Sequence, residues 1–339
     1  MRVLIIGGTG FNGRHFVSAL QQRDHAVTLF GLAESQPSIA DVEVLIGDRN
    51  QGLDALRNRE WDVVIDNCGM VPRQVQLTAR ALSGHVGRYI FISSICAYRD
   101  FSIPGINEDY PLGELTDPTT EEIGQQTYGP LKALCERIVE EVYGDRATIL
   151  RPTYIVGPGD PSDRFTYWPV RVARGGDMLV PGKPTDYIQF IDVRDVAHFA
   201  CKCAEDGIGG RYNLCIPPGA VTMGALLETS RRLTGADTRF VWRALDFLPE
   251  NHRMGGGGDL TIWAPRGNGY RGWHFVSSAR AVERGLLFRP LDITIRDLLA
   301  WHAQRPVEQR ERLRAGMTPE REAQLLKACF GRSHEGGSI

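Results

Sequence analysis

The sequence predicts a doubly wound α/β fold, a parallel sheet with helices on both faces, joined to a smaller mixed C-terminal domain. Three observations carry that expectation. Up to about residue 150, short β-branched or apolar runs alternate with helical periods. The first run passes directly into a glycine-rich turn that opens an amphipathic helix. After Arg151-Pro152 the pattern becomes irregular and rich in Gly, Pro and Trp. With 339 residues, 42% hydrophobic and 24% charged, the chain can bury one large or two modest apolar cores.

Taken in order, strands are expected at residues 3–6, 26–30, 42–46, 63–66, 89–93 and 148–150, and helical stretches at 14–23, 53–57, 74–82 and 131–142. The strands read as continuous apolar runs because a parallel sheet between two helical layers is buried on both faces. Strand and helix return at 187–204 and 211–215. We therefore expect a Rossmann-type domain from residues 1–155 plus about 187–215. A substrate domain from about 156–186 and 216–303 would close over the C-terminal edge of the sheet. Residues 304–339, charged and with a helical stretch near 319–329, read as a surface appendage, and the glycine run at 255–258 as a mobile loop or lid.

Thirty-nine Lys+Arg against 41 Asp+Glu give a formal charge of −2, so no basic field gathers nucleic acid or an anionic membrane, and neither is expected as a partner. The apolar runs are strand-sized and no cleavable leader pattern is present, which predicts a cytoplasmic protein. The seven cysteines are odd in number, scattered and without CxxC, as suits reduced thiols. The eight histidines form no HExxH, and no metal is expected.

Gly7-Gly8-Thr9-Gly10-Phe11-Asn12-Gly13 holds three glycines at GxxGxxG spacing. With 38 glycines in the chain, that spacing arises by chance about once in every two such sequences, so its context decides. Here it links a buried strand to a helix, where glycines let backbone approach a pyrophosphate and helix-terminal N–H groups bind it. NAD or NADP is expected, with Gly7, Thr9, Gly10, Phe11, Asn12 and Gly13 around it. The second strand ends at Gly31 without the usual ribose-binding acid, and the loop Gly31-Leu32-Ala33-Glu34 has no arginine for a 2′-phosphate, which Arg14 or Arg49 would have to hold from elsewhere. Asp48 reads either as a contact to the adenine edge or as a turn cap. Asn67-Cys68-Gly69 closes the fourth strand at the cofactor edge.

Tyr128 and Lys132, four apart in Tyr128-Gly129-Pro130-Leu131-Lys132, share one helical face. Four lysines and ten tyrosines produce that pairing by chance in about one such chain in eight. A phenol of pKa about 10 is a poor base at neutral pH, and a neighbouring ammonium would lower it. Ile92-Ser93-Ser94-Ile95-Cys96-Ala97-Tyr98 ends the fifth strand at the same edge.

Together these pieces resemble the short-chain dehydrogenase/reductase superfamily, in the extended or atypical branch of nucleotide-sugar epimerases, dehydratases and related reductases. The resemblance covers roughly residues 1–215. It rests on the glycine motif, the Ser-Ser run ending in Tyr98, YxxxK, Arg151-Pro152 followed by Val156-Gly157-Pro158, and Phe190-Ile191-Asp192-Val193-Arg194-Asp195-Val196-Ala197. It implies that Ser94 orients the substrate, Tyr128 is the acid/base and Lys132 binds the nicotinamide ribose. Ser93 would border the cofactor, and Pro152 would lie against the nicotinamide.

Departures narrow the reaction. Dehydratases of the family carry an Asp-Glu pair after the catalytic hydroxyl residue, whereas this chain has Ile95-Cys96. Cys96 matches the place of a proton-exchanging cysteine in certain GDP-sugar epimerases. The family's diphosphate-binding arginine is replaced by Tyr187, Ile188 and Gln189, which looks more like the branch containing the chloroplast stem-loop-binding proteins. Cys96, Arg164, Tyr167 and Gln189 are expected to line the substrate site, Trp168 to pack in a core, and Asp195 to cap its helix. The resulting expectation is an NAD(P)-dependent epimerase or oxidoreductase acting on a secondary alcohol of a sugar or sugar derivative. The alternatives are a carbonyl reductase or dehydrogenase for a non-nucleotide substrate, and a retired nucleotide-sensing or RNA-binding scaffold. A homodimer through helices 73–82 and 131–142 is a further possibility from the resemblance.

Overall fold

The computed structural model describes residues 1–32, 42–244, 258–264 and 269–331. Its strands are β1 (Arg2–Ile6), β2 (Ala26–Gly31), β3 (Glu43–Ile46), β4 (Trp61–Asp66), β5 (Val86–Ile92), β6 (Ala147–Pro152), β7 (Tyr154–Val156), β8 (Gly176–Pro181), β9 (Phe190–Asp192), β10 (Gly210–Leu214) and β11 (Thr238–Arg243). The helices are α1 (Phe11–Gln21), α2 (Pro72–Ala81), α3 (Tyr128–Tyr143), α4 (Tyr167–Ala173), α5 (Val193–Glu205), α6 (Met223–Thr234), α7 (Ala279–Glu283), α8 (Leu291–Ala303), α9 (Val307–Glu311) and α10 (Pro319–Gly331).

Seven strands form one parallel sheet in the order β3-β2-β1-β4-β5-β6-β10. The Rossmann-type sheet expected from the sequence is thus present. Alternation along each strand divides its core. Val3, Ile5, Leu29 and Ile65 meet Phe16 and Leu20 of α1 and Phe199 of α5 on one face. Leu4, Ile6, Val64 and Phe91 meet Val75 of α2 and Val139 of α3 on the other. The order in which strands are added switches sides between β1 and β4, which opens a crevice at their C-terminal ends.

A second core joins Trp168 and Val172 of α4, Met178 and Val180 of β8, Leu226 of α6 and Leu298 of α8. Over residues 315–331 the C-terminal segment belongs to it rather than forming a surface appendage, whereas residues 306–312 are exposed. Met317, Leu325 and Cys329 are buried there, and the Glu322 carboxylate pairs with Arg171 while accepting the Leu179 N–H at 3.0 Å. The many charges of this segment hid one apolar face with a single buried acid. Asp195 does not cap its helix either. Asp192 is the N-cap, accepting from Arg194 N at 2.9 Å, and Asp195 pairs with Arg289. Ala33, Glu34 and, except for Gly258, the glycine run at 255–258 lie outside the described residues. Among the described residues no helix is long and apolar enough to cross a membrane.

Candidate active site

The turn after β1 sits at the crevice. Gly7 adopts φ +79°, and a Cβ there would stand 2.6 Å from the Cys68 Cβ, so the ends of β1 and β4 approach as only glycine permits. A Cβ on Gly13 would meet Gly8 backbone at 2.4 Å, which seats α1 against its own entry turn. Gly10 is the N-cap of α1, with no side-chain cap, no acid in the first turn and no heavy atom within 4 Å of where its Cβ would be. Among the described residues no side chain therefore claims the first N–H groups of α1, as an anion site requires. Asn12 Nδ2 donates to Asn67 Oδ1 at 3.1 Å, and Asn67 Nδ2 to Gly7 O at 3.2 Å, while Asn12 Oδ1 is buried without a partner. Phe11 packs under Gly159, and His15 Nε2 lies 2.8 Å from Pro158 O, bringing the turn after β7 over the start of α1. Thr9 is half-buried in the same turn.

Asp48 takes the turn-cap alternative: its Oδ1 accepts from Asn50 N at 2.8 Å and Nδ2 at 2.9 Å. Arg49 departs from expectation. Its guanidinium is buried and bidentate to Asp66 at 2.8 Å, with Thr78 and Gln74 O as further acceptors. It fixes the turn after β3 to β4 and is not presented to a cofactor, because a buried carboxylate needs its cation.

Beyond β5, Ser93 N donates to Leu150 O at 2.7 Å and its hydroxyl bonds to Glu136. Glu136 is paired with Arg151, both wholly buried, at 2.6 to 3.2 Å. Arg151 also donates to the Tyr98 hydroxyl at 3.1 Å, which itself donates to Asn213 Oδ1 at 2.7 Å. This network under the crevice was missed from sequence, although Glu136 lies one turn beyond Lys132 on the same face and Arg151 ends an apolar strand.

Ser94 starts a 3₁₀ turn, Ile95–Ala97, and its Oγ accepts from Cys96 N at 3.1 Å. Helix α3 begins at Tyr128 and is pressed onto that turn: a Cβ on Gly129 would lie 2.0 Å from Cys96 O. The Tyr128 hydroxyl thereby comes within hydrogen-bonding reach of Ser94 and within electrostatic reach of Cys96 and Arg164. Burial pushes it up, and the Cys96 thiol adds to this, while Ser94 and the Arg164 guanidinium pull it down. Burial likewise pushes the Cys96 thiol up, opposed by Ser94 and Arg164.

Lys132 does not tune Tyr128 in the manner expected. Its ammonium is buried and donates to Gly69 O at 2.8 Å and Ile92 O at 2.7 Å, over the Phe91 ring at 4.3 Å. Burial lowers its pKa, and it ties the ends of β4 and β5 together. Pro152, buried at the end of β6 opposite Leu214, shares this edge.

Of the expected substrate residues, Cys96 and Arg164 lie at the site. Tyr167 does not: it is 1% exposed in the second core, edge-on to Trp168 at 5.0 Å, because α4 turns that face inward. Gln189 is also consumed internally, its amide donating to Ile216 O at 2.8 Å and Val276 O at 2.9 Å and accepting from Val276 N at 2.8 Å. Instead Tyr154 and Trp273 form the wall, their rings 6.1 Å apart, with Arg164 stacked on Tyr154 at 5.0 Å. A cleft lined by Arg2, Ala26, Glu43 and Trp61 lies at the opposite, N-terminal ends of the strands, away from these groups.

Residues 58–215 match the model of the NAD dependent epimerase/dehydratase family. The resemblance drawn from the sequence is borne out. Among solved structures the chain is similar to MoeE5 in complex with UDP-glucuronic acid and NAD, at 20% identity and TM-score 0.63 over 90% of this chain and 99% of that one. It is similar to UDP-glucose 4-epimerase from Thermotoga maritima with UDP-glucose, at 16% identity and TM-score 0.66 over 90% and 99%. It is also similar to the Bordetella bronchiseptica enzyme WbmG in complex with NAD and UDP, at 18% identity and TM-score 0.66 over 90% and 95%. At these identities the likeness is one of fold. No curated protein matches the chain in sequence.

Proposed function

We propose that the chain is an NAD-dependent enzyme of the epimerase type, moving a hydride to or from a secondary alcohol carbon of a sugar or sugar derivative. The observation that carries this reading is the meeting of Ser94 and Tyr128 with an uncapped glycine turn at one strand crevice. Gly7, Thr9, Gly10, Phe11, Asn12 and Gly13 would cradle the pyrophosphate, with Asn67, Cys68, Gly69, Ser93 and Pro152 along the strand ends. The open Gly10 edge, with no side-chain cap on the helix start, fits that group. NAD is favoured over NADP because Asp66 holds Arg49 and Arg14 Nε is turned to Thr9 O at 3.2 Å, and because the similar structures of MoeE5 and WbmG hold NAD.

A nicotinamide bound there supplies the hydride acceptor. Ser94 orients the substrate oxygen and Tyr128 exchanges its proton. Burial keeps Tyr128 protonated at rest, so its basicity depends on cations brought near it. Lys132 contributes by holding the Gly69 and Ile92 carbonyls, which fixes the floor of the site. Ile95-Cys96 offers no acid to expel water, which argues against dehydration.

The test is to denature the purified protein, identify any released nucleotide by absorbance and mass, and titrate the emptied protein with NADH and NADPH. Retained NAD supports an internal redox cycle of the epimerase kind. Binding of neither cofactor overturns the proposal.

A further inference from the structure

Arg164 is a half-buried cation at the candidate site that holds no carboxylate among the described residues. The buried arginines Arg49, Arg151 and Arg171 each hold a carboxylate. Arg164 is half-buried, yet among the described residues no carboxylate lies within ion-pair distance of it. Its Nε donates to Ser162 Oγ at 3.2 Å and its guanidinium lies over the Tyr154 ring at 5.0 Å, which orients it, and among the described residues neither Nη has an acceptor. The nearby Asp160 does not supply the missing charge. Its Oδ1 accepts Ser162 N at 2.8 Å, its Oδ2 is buried and unpartnered, and burial pushes it toward the neutral form. A stacked fork with two open donors suits a carboxylate or phosphate.

We propose that Arg164 receives an oxyanion carried by the substrate itself, close to the alcohol carbon that faces Tyr128. This rests on the reading of Tyr128 as the group that meets that alcohol. Arg164 lies over Tyr154 on the wall of the site, and its charge favours the ionised form of Tyr128, Cys96 and Tyr154. An anion bound there lies beside the reacting centre rather than at the far end of a nucleotide. The substrate class is an acidic sugar, bearing a carboxylate or a phosphate on the sugar ring or its exocyclic carbon, with Trp273 and Tyr154 as the aromatic wall.

The experiment measures binding of glucose, glucuronate and glucose 6-phosphate to the NADH-loaded protein by calorimetry, in wild type, Arg164→Gln and Arg164→Lys. NADH affinity and thermal stability are recorded for each variant. The expected result is at least tenfold tighter binding of one acidic sugar than of glucose, with glucuronate against glucose 6-phosphate identifying the anion. Arg164→Gln should abolish the preference with NADH affinity unchanged, and Arg164→Lys should restore part of it. Acidic sugars binding no better than glucose, or equally well to Arg164→Gln, would overturn the proposal. Loss of NADH binding by Arg164→Gln would overturn it too, by making the residue structural. Failure of wild type itself to bind NADH would instead strike the cofactor reading.

Discussion

His274 provides a prediction that needs no substrate. The ring is 5% exposed, its Nδ1 accepts the Gln189 N–H at 3.0 Å, and Nε2 is buried without a partner. Burial pushes its pKa down from 6.5 to about 3. Its folded-state pKa is depressed, so the unfolded chain binds a proton more readily between pH 6.5 and 3. Stability from the neutral ring is therefore complete above 6.5 and is lost as pH falls through that window. Weighing the two pKa values gives a loss of about 2 kcal/mol at pH 5, rising toward about 5 kcal/mol at the acid limit. With about 2.1 cal/mol/K per residue over the chain, 2 kcal/mol corresponds to roughly 3 °C. The assay compares melting at pH 7.5 and 5.0 for wild type and His274→Asn, whose amide oxygen can still accept the Gln189 N–H. Wild type should lose about 3 °C more than the variant. Parallel losses would refute the assignment. Because Gln189 in turn clamps Val276, the same protonation loosens the segment that carries Trp273 to the site.

Two further predictions concern the site's geometry. Gly129→Ala puts a methyl 2.0 Å from Cys96 O, more than 1 Å inside a normal carbon–oxygen contact. The 3₁₀ turn must retreat from α3, so turnover should fall about a hundredfold with NADH affinity kept, measured by paired kinetics and titration. Gly10→Asp meets open space at φ −73° and supplies the missing N-cap, so melting should hold or rise by the equivalent of about 1 kcal/mol. The same carboxylate faces the pyrophosphate site, so NADH binding should weaken at least tenfold, and unchanged affinity would displace the cofactor from this turn.

Much of the frame was legible because its signals are local. Strands β1, β2, β4 and β5 read as apolar runs since both sheet faces are covered, and the glycine turn and the Tyr128/Lys132 spacing lie within single segments. What was hidden depends on long-range contact. Nothing near Trp273 indicates that its loop returns to Tyr154, more than a hundred residues earlier. Nothing near Arg49 announces that Asp66 claims it. Tyr167 was read as a pocket residue with the rest of the polar and aromatic segment 157–168, but its ring packs in the second core. Lys132 was placed on the correct face, yet the Gly69 and Ile92 carbonyls that hold it come from two different strand ends. The capping role fell to Asp192 rather than Asp195 because β9 ends one residue before the helix, which a pattern of three nearby charges does not reveal.

The central claim is that Tyr128 exchanges the proton for a hydride transfer at this crevice. Its most direct test supplies wild type and Tyr128→Phe with NADH deuterated at C4 and a pool of sugar-derived carbonyl compounds, and follows deuterium into product by mass spectrometry. The account predicts transfer by wild type, at least a hundredfold less by Tyr128→Phe, and equal NADH affinity in both. Undiminished transfer by Tyr128→Phe would contradict it.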